Sequence, residues 1–149
     1  MNEELRIQLA TSNRNANAKR TTGQGRKGDD IADRLLALAA AVIRLLPSLS
    51  ERPAARSIVK QLERCGPAGG ANYEEARGAE SPADFIHKVR IALKEVRETR
   101  YWLKLVLRAA LLDCPDSLTQ LINEATELIA ILTASANTAR QRSEQHGRG

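Results

Sequence analysis

A chain of 149 residues with 42% apolar residues, but one Phe, one Trp and two Tyr, is the size of a single domain with an aliphatic, helix-rich interior. Cys65 and Cys114 form no C-x-x-C pair and no signal peptide precedes them, which argues against a disulfide-stapled scaffold and predicts a cytoplasmic protein with two buried free thiols. The longest apolar run, LLALAAAVIRLL from Leu35, carries Arg44 and falls well short of the roughly 20 residues that cross a bilayer.

The net charge of +5 is unevenly spread. Residues 1–28 hold six Lys or Arg against Glu3 and Glu4, residues 81–112 hold seven against Asp84, Glu95 and Glu98, and residues 113–138 hold four carboxylates and no basic residue. Such asymmetry points to a polyanionic partner, although a basic tail is often only a solvated one.

Residues 1–28 are polar with little apolar periodicity after Leu9 and read as a disordered basic tail, with Lys19, Arg20, Arg26 and Lys27 as candidate nucleic-acid contacts. The tail contains GQGRKG, which fits G-x-G-x-x-G, but no strand precedes it, so a dinucleotide site is not expected. A first helix opens at Asp29 or Asp30 as cap, carries the stripe Ile31, Leu35, Leu38, Val42 and Leu45, and is predicted to end at Pro47. The second starts near Pro53 and runs through Ile58, Leu62 and Cys65 into CGPAGGANYEEARG. There Gly66, Pro67, Gly69 and Gly70 read either as a loop between two helices or as a break inside one. An interior proline costs a helix about 3 kcal/mol and a glycine up to about 1, yet Leu62, Cys65, Gly69, Asn72, Tyr73 and Ala76 hold one helical face across the break.

The third helix has the clearest start: Ser81 as cap, Pro82 in the first position and Asp84 three residues after the cap. It is predicted to reach Leu112. DCPDS breaks the chain, and a fourth helix follows on Leu118, Leu121, Ile122, Ala125, Leu128, Ile129 and Leu132. Residues 139–149 read as a disordered polar tail. No stretch alternates as a strand does, so residues 29–138 form an all-α, antiparallel, up-and-down four-helix bundle.

From Ser57 to about Leu107 the sequence resembles the four-helix-bundle protein family encoded in intervening sequences of 23S ribosomal RNA genes, through GANYEEA, ESPADFIHK, and IALKE followed by ETRYWL. The resemblance implies that the GPAGG stretch is a kink in one long second helix. The two glycines flanking Ala68 exceed the family's usual pattern, so the kink is expected to be locally unwound. The resemblance also implies ring-shaped homo-oligomers, with pentamers the known case, and no established biochemical role. Related bundles are accessory proteins of diversity-generating retroelements that bind a reverse transcriptase and nucleic acid.

Residue spacing along the third helix separates three faces. Phe85, Val89, Ala92, Val96, Thr99, Leu103, Leu107 and Ala110 share the core face. Opposite them Arg90, Lys94, Arg97, Tyr101, Lys104 and Arg108 form a ladder about 27 Å long. Its five cations and one aromatic include no carboxylate. They suit phosphates, with Tyr101 able to stack on an exposed base, or an acidic partner surface, unless Asp116, Glu124 and Glu127 of the fourth helix neutralise the ladder within the bundle or across subunits. Between these faces Ile91, Trp102, Leu105 and Ala109 form a candidate oligomer interface, unless the helix is simply buried on a wide arc.

No catalytic constellation emerges, and neither His87 nor His146 has partners at metal-ligand spacing, so no metal, cofactor or enzymatic activity is expected. Glu74, Glu75, Glu95 and Glu98 read as surface charges or as i+4 partners of basic residues. Asn72 is polar on an inward face, where a hydrogen bond to the carbonyl freed by Pro67 would hold it. The functional expectation is a non-enzymatic basic scaffold binding RNA, DNA or a nucleic-acid enzyme, with a protein-binding adaptor ring as the alternative.

Overall fold

The computed structural model describes residue 25 and residues 28–147. Four helices account for most of these: α1 (Asp29–Ser50), α2 (Arg56–Arg77), α3 (Pro82–Arg108) and α4 (Pro115–His146), with a short 3-10 turn at Pro53–Ala55 leading into α2. Successive helices pack antiparallel. Asp29 at the start of α1 meets Arg77 at the end of α2, Glu75 late in α2 meets Lys88 early in α3, and Arg100 of α3 bonds Thr126 of α4. The fold is therefore the expected all-α four-helix bundle.

Its core is almost wholly aliphatic. Leu35, Val42, Leu45 and Leu49 of α1, Leu62 of α2, Val89, Val96, Leu103 and Val106 of α3, and Leu118, Leu128 and Leu132 of α4 are fully enclosed. Cys65 and Cys114 are both buried and form no disulfide, as the sequence predicts, and burial pushes the Cys65 thiol up.

Local chemistry corrects several boundaries. The cap of α1 is Gly28 rather than an aspartate, at φ 92°, where a Cβ would stand 2.6 Å from the Tyr73 hydroxyl. Asp29 and Asp30 occupy the first turn instead, where their charge opposes the helix dipole. Pro47 does not end α1, which continues to Ser50, because a proline near the last turn removes one hydrogen bond and the remaining packing of Leu49 holds the turn. Ser81 does cap α3, accepting from the Asp84 N–H at 3.1 Å, with Pro82 first in the helix.

The GPAGG stretch is helical throughout, and the expected unwinding does not occur: among the described residues Gly28 alone of the glycines has positive φ. The glycines serve close packing. A Cβ at Gly66 would lie 2.9 Å from Cγ1 of Val42 in α1, and one at Gly69 would lie 2.7 Å from Cγ2 of Val96 in α3. Removing side chains here lets the α2 backbone approach both neighbours at once. Asn72 donates to the Ala68 carbonyl one turn back, at 2.8 Å, and not to the carbonyl of Glu63 that Pro67 leaves without its usual donor.

α3 stops at Arg108, short of the predicted Leu112. The N–H of Ala110 bonds the Leu107 carbonyl and that of Leu111 bonds the Val106 carbonyl, closing a Schellman-type end with Ala110 at φ 49°. α4 runs the other way from expectation: residues 139–146, read as disordered tail, continue the helix to His146. Helical spacing of apolar residues stops near Ala136, so the last turns carry no periodic signal, and from Asn137 on nearly every residue is exposed.

Candidate nucleic-acid interface

The buried arc of α3 consists of Val89, Ala92, Leu93, Glu95, Val96, Thr99, Leu103 and Val106. Of the predicted core face, Phe85 and Leu107 are half-buried and Ala110 lies beyond the helix, exposed. The opposite side is what the spacing predicts: Arg90, Lys94, Arg97, Tyr101, Lys104 and Arg108 are all exposed on one helix. Tyr101 is 58% exposed, one of three large hydrophobic side chains so exposed among the described residues.

Whether the ladder is neutralised within the chain depends on where the carboxylates go. Arg34 of α1 holds Glu124 through two hydrogen bonds, Nε to Oε1 at 2.7 Å and Nη2 to Oε2 at 3.0 Å, and reaches Glu127 at 2.6 Å. This two-pronged clasp joins the first helix to the last, and the hydrogen bond to Glu124 raises the already high pKa of the guanidinium. On α3 itself, Glu95 and Glu98 both turn to Arg64 of α2. Glu74 pairs with Arg77, and Glu75 with Lys88. Glu124 and Glu127, two of the three acids of α4 expected to shield the ladder, thus serve α1, and the acids of α2 and α3 mostly brace the seams between helices rather than supporting i+4 pairs. Among the described residues, none of the five ladder cations takes part in an ion pair.

Tyr101 is held from one side. Its ring meets that of Trp102 edge to face, centroids 4.9 Å apart at 79°. The Trp102 Nε1–H donates to Glu98 at 3.4 Å, and Glu98 also accepts from Arg64. Those hydrogen bonds, Arg64 first, keep the Glu98 carboxyl below its ordinary value and therefore charged.

The predicted interface residues are dispersed. Ile91, Trp102 and Leu105 are half-buried, with Trp102 and Leu105 packed on the chain's own core, and Ala109 caps the end of α3 instead of continuing its face. The strongest exposed apolar surface is on α1, which the sequence reading did not single out. Leu36 is 68% and Ile43 51% exposed. They border a groove of about 720 Å³ between α1 and α2, lined also by Asp29, Asp33, Pro67 and Gly70. The signal was present: LLALAAAVIRLL is apolar around most of the helix, more than one buried stripe requires. On the same helix Arg44 keeps Nε and Nη2 buried with no hydrogen-bond partner among the described residues.

Lys19, Arg20, Arg26 and Lys27 lie outside the described residues. Among the described residues no cluster of His, Cys, Asp or Glu is placed to hold a metal ion, and no helix is long and apolar enough to cross a membrane.

A model of the 23S rRNA-intervening sequence protein family matches residues 29–134. The chain belongs to this family. The match covers α1 to α3 and most of α4, and stops before the exposed last turns. A crystal structure of a protein with unknown function from the S23 ribosomal protein family of Bacteroides thetaiotaomicron is 35% identical, with a TM-score of 0.66 over 71% of this chain and 97% of the other. No curated protein matches. The family resemblance in ESPADFIHK and ETRYWL thus rests on α3, the helix that also carries the ladder.

Proposed function

We propose that this member of the 23S rRNA-intervening sequence protein family is a non-enzymatic, oligomeric basic scaffold of the cytoplasm. It binds RNA or DNA, or an enzyme acting on nucleic acid such as a reverse transcriptase, through the outer face of α3. The observation that carries this reading is the engagement of Glu124 and Glu127 by Arg34, which leaves the five exposed ladder cations in no ion pair among the described residues. Like charges one turn apart repel, and phosphates relieve that repulsion while releasing counterions. Contacts of this kind fix position along a backbone and read no base edges, so sequence preference is low.

The α1 face supports the oligomeric part of the reading and favours a second copy as its occupant. Leu36 and Ile43 offer apolar area, and Asp33 beside them, in no ion pair among the described residues, offers negative charge to an otherwise cationic protein. The same surface is what an adaptor ring would use for an unrelated protein, which is the alternative function.

The test is fluorescence anisotropy of a labelled structured RNA and a single-stranded DNA at several salt concentrations. The intact chain, a deletion of residues 1–28, and an Arg90→Glu, Arg97→Glu, Lys104→Glu variant are compared. Five phosphate contacts on a single strand predict a loss of about 100-fold in affinity between 50 and 200 mM salt, and the triple variant is expected not to bind. Equal binding by the triple variant and the intact chain would overturn the reading.

A further inference from the structure

The ladder is not a uniform row of charge: its fourth position is an aromatic ring. Tyr101 follows Arg97 by one turn and precedes Lys104 and Arg108 by one and two turns, so cations stand on both sides of it along the helix. A tyrosine in the middle of a phosphate-binding ridge is ill suited to duplex. In a double helix every base is paired and stacked, so the ring finds no π-face to stack on and adds little to the flanking cations. An unpaired strand reverses this, because its bases can turn toward the protein while its phosphates lie along the same ridge.

The surroundings of the ring agree. Tyr101 is 58% exposed, and its contact with Trp102 is edge to face, which leaves ring surface open to solvent. Trp102 is itself packed on the core, and its indole N–H is tied to Glu98, which is tied across to Arg64 of α2. A ring braced in this way loses little freedom when a base stacks on it, and rigidity of this kind raises affinity.

We propose that the α3 ladder selects unpaired strands over duplex, with Tyr101 as the base-stacking position and Trp102 as the residue that positions it. The proposal rests on the nucleic-acid reading of the ladder and adds to it the class of nucleic acid.

The test uses the full chain with three labelled probes of equal length: a 12-nucleotide poly-dT, the same strand made abasic, and a 12-base-pair duplex. The intact protein is expected to bind poly-dT at least 10-fold more tightly than the duplex. Tyr101→Ala should weaken poly-dT binding about 5- to 150-fold, the range that one stacked base supplies, and leave abasic and duplex binding and the salt slope unchanged. Tyr101→Phe, which keeps the ring, should bind poly-dT as the intact protein does. If poly-dT, abasic strand and duplex bind alike and Tyr101→Ala changes none of them, the strand-selective role is wrong while the ladder remains a phosphate surface. If none of the three probes binds at low salt, the ladder reading fails and this proposal with it.

Discussion

The outer faces of α3 and α1 are both exposed, yet they are built oppositely. α3 presents five cations and a tyrosine with no carboxylate, while α1 presents Leu36 and Ile43 over a groove edged by Asp29 and Asp33. The inner sides of the two helices are much alike, both aliphatic and both pressed against α2 through its glycines. The bundle thus fixes a common interior and leaves two outer faces free to differ, and the physics of each predicts a different kind of partner. Charge in water gives attraction that salt screens, whereas apolar area gives attraction that salt leaves intact or strengthens.

The largest expected effect comes from exchanging variants between the two assays. Leu36→Glu with Ile43→Glu should lower the mass measured by light scattering, while nucleic-acid affinity per subunit stays within a few-fold of the intact protein. Arg90→Glu, Arg97→Glu and Lys104→Glu together should abolish nucleic-acid binding and leave the mass unchanged. Raising salt from 50 to 200 mM should reproduce the second pattern, with binding down about 100-fold. A ladder variant that dissociates the assembly, or a groove variant that leaves its mass intact, breaks the assignment of the two faces.

The next effect concerns α2, which backs both faces. At Gly69 an added Cβ would stand 2.7 Å from Val96, a stiff β-branched side chain, and Gly69→Ala is expected to destabilise the protein by about 1–2 kcal/mol. Overpacking costs about 1–3 kcal/mol and helix propensity returns up to about 1. In a Val96→Ala background the same substitution should cost less, and strictly additive denaturation midpoints would show that this contact is not the limiting one. Gly70, on the groove side, differs: its Cβ would meet the Leu35 Cβ at an ordinary 3.5 Å, so Gly70→Ala should be neutral or stabilising by up to about 1 kcal/mol. Neighbouring glycines thereby report separately on the α3 side and the α1 side.

The ladder was legible in the sequence because helical spacing alone sets which residues share a face, and exposure follows from the buried arc opposite. The α1 to α4 clasp was not. Arg34 and Glu124 are 90 residues apart, and no local pattern says which of several cations a carboxylate will reach. The GPAGG stretch was half legible: the preserved face across it argued for a helix, but the need for glycine comes from Val42 and Val96 on two other helices. Pro47 and the C-terminal extension of α4 misled for a common reason. Local propensity is a weak force, and what a helix end does depends on how the next turn packs or on how little it has to pack against. The groove is not legible from a single stripe, because the apolar residues of α1 cover more than one face.

A smaller effect should appear at the end of the ladder. Ala110 adopts φ 49°, the left-handed conformation in which glycine is at ease, immediately beyond the turn that ends in Arg108. Ala110→Gly should therefore raise stability by about 0.5–1 kcal/mol, since relief of strain of about 1–2 kcal/mol is partly offset by the greater freedom of glycine in the unfolded chain. Thermal denaturation would show it as a rise in midpoint with nucleic-acid affinity unchanged.

The smallest effect tests the brace beneath Tyr101. Hydrogen bonds from Arg64 and Trp102 hold the Glu98 carboxyl below its ordinary value of 4.5, so its folded form binds a proton less readily than its unfolded form. The stability it contributes is then fully present above pH 4.5 and is lost as pH falls through the depressed folded value. Because the group is partly exposed and screened, the contribution is about 0.5 kcal/mol. Glu98→Gln should lower the denaturation midpoint slightly at pH 7 and remove that part of the acid sensitivity, so that variant and intact protein converge once pH has fallen through the depressed folded value. The two faces respond differently again. The Trp102 fluorescence of the variant should change because its indole loses a charged acceptor, whereas assembly through Leu36 and Ile43 on the far helix should not. A variant whose stability tracks the intact protein in parallel from pH 7 to pH 3 would show that the Arg64, Glu98 and Trp102 chain does not brace the ladder.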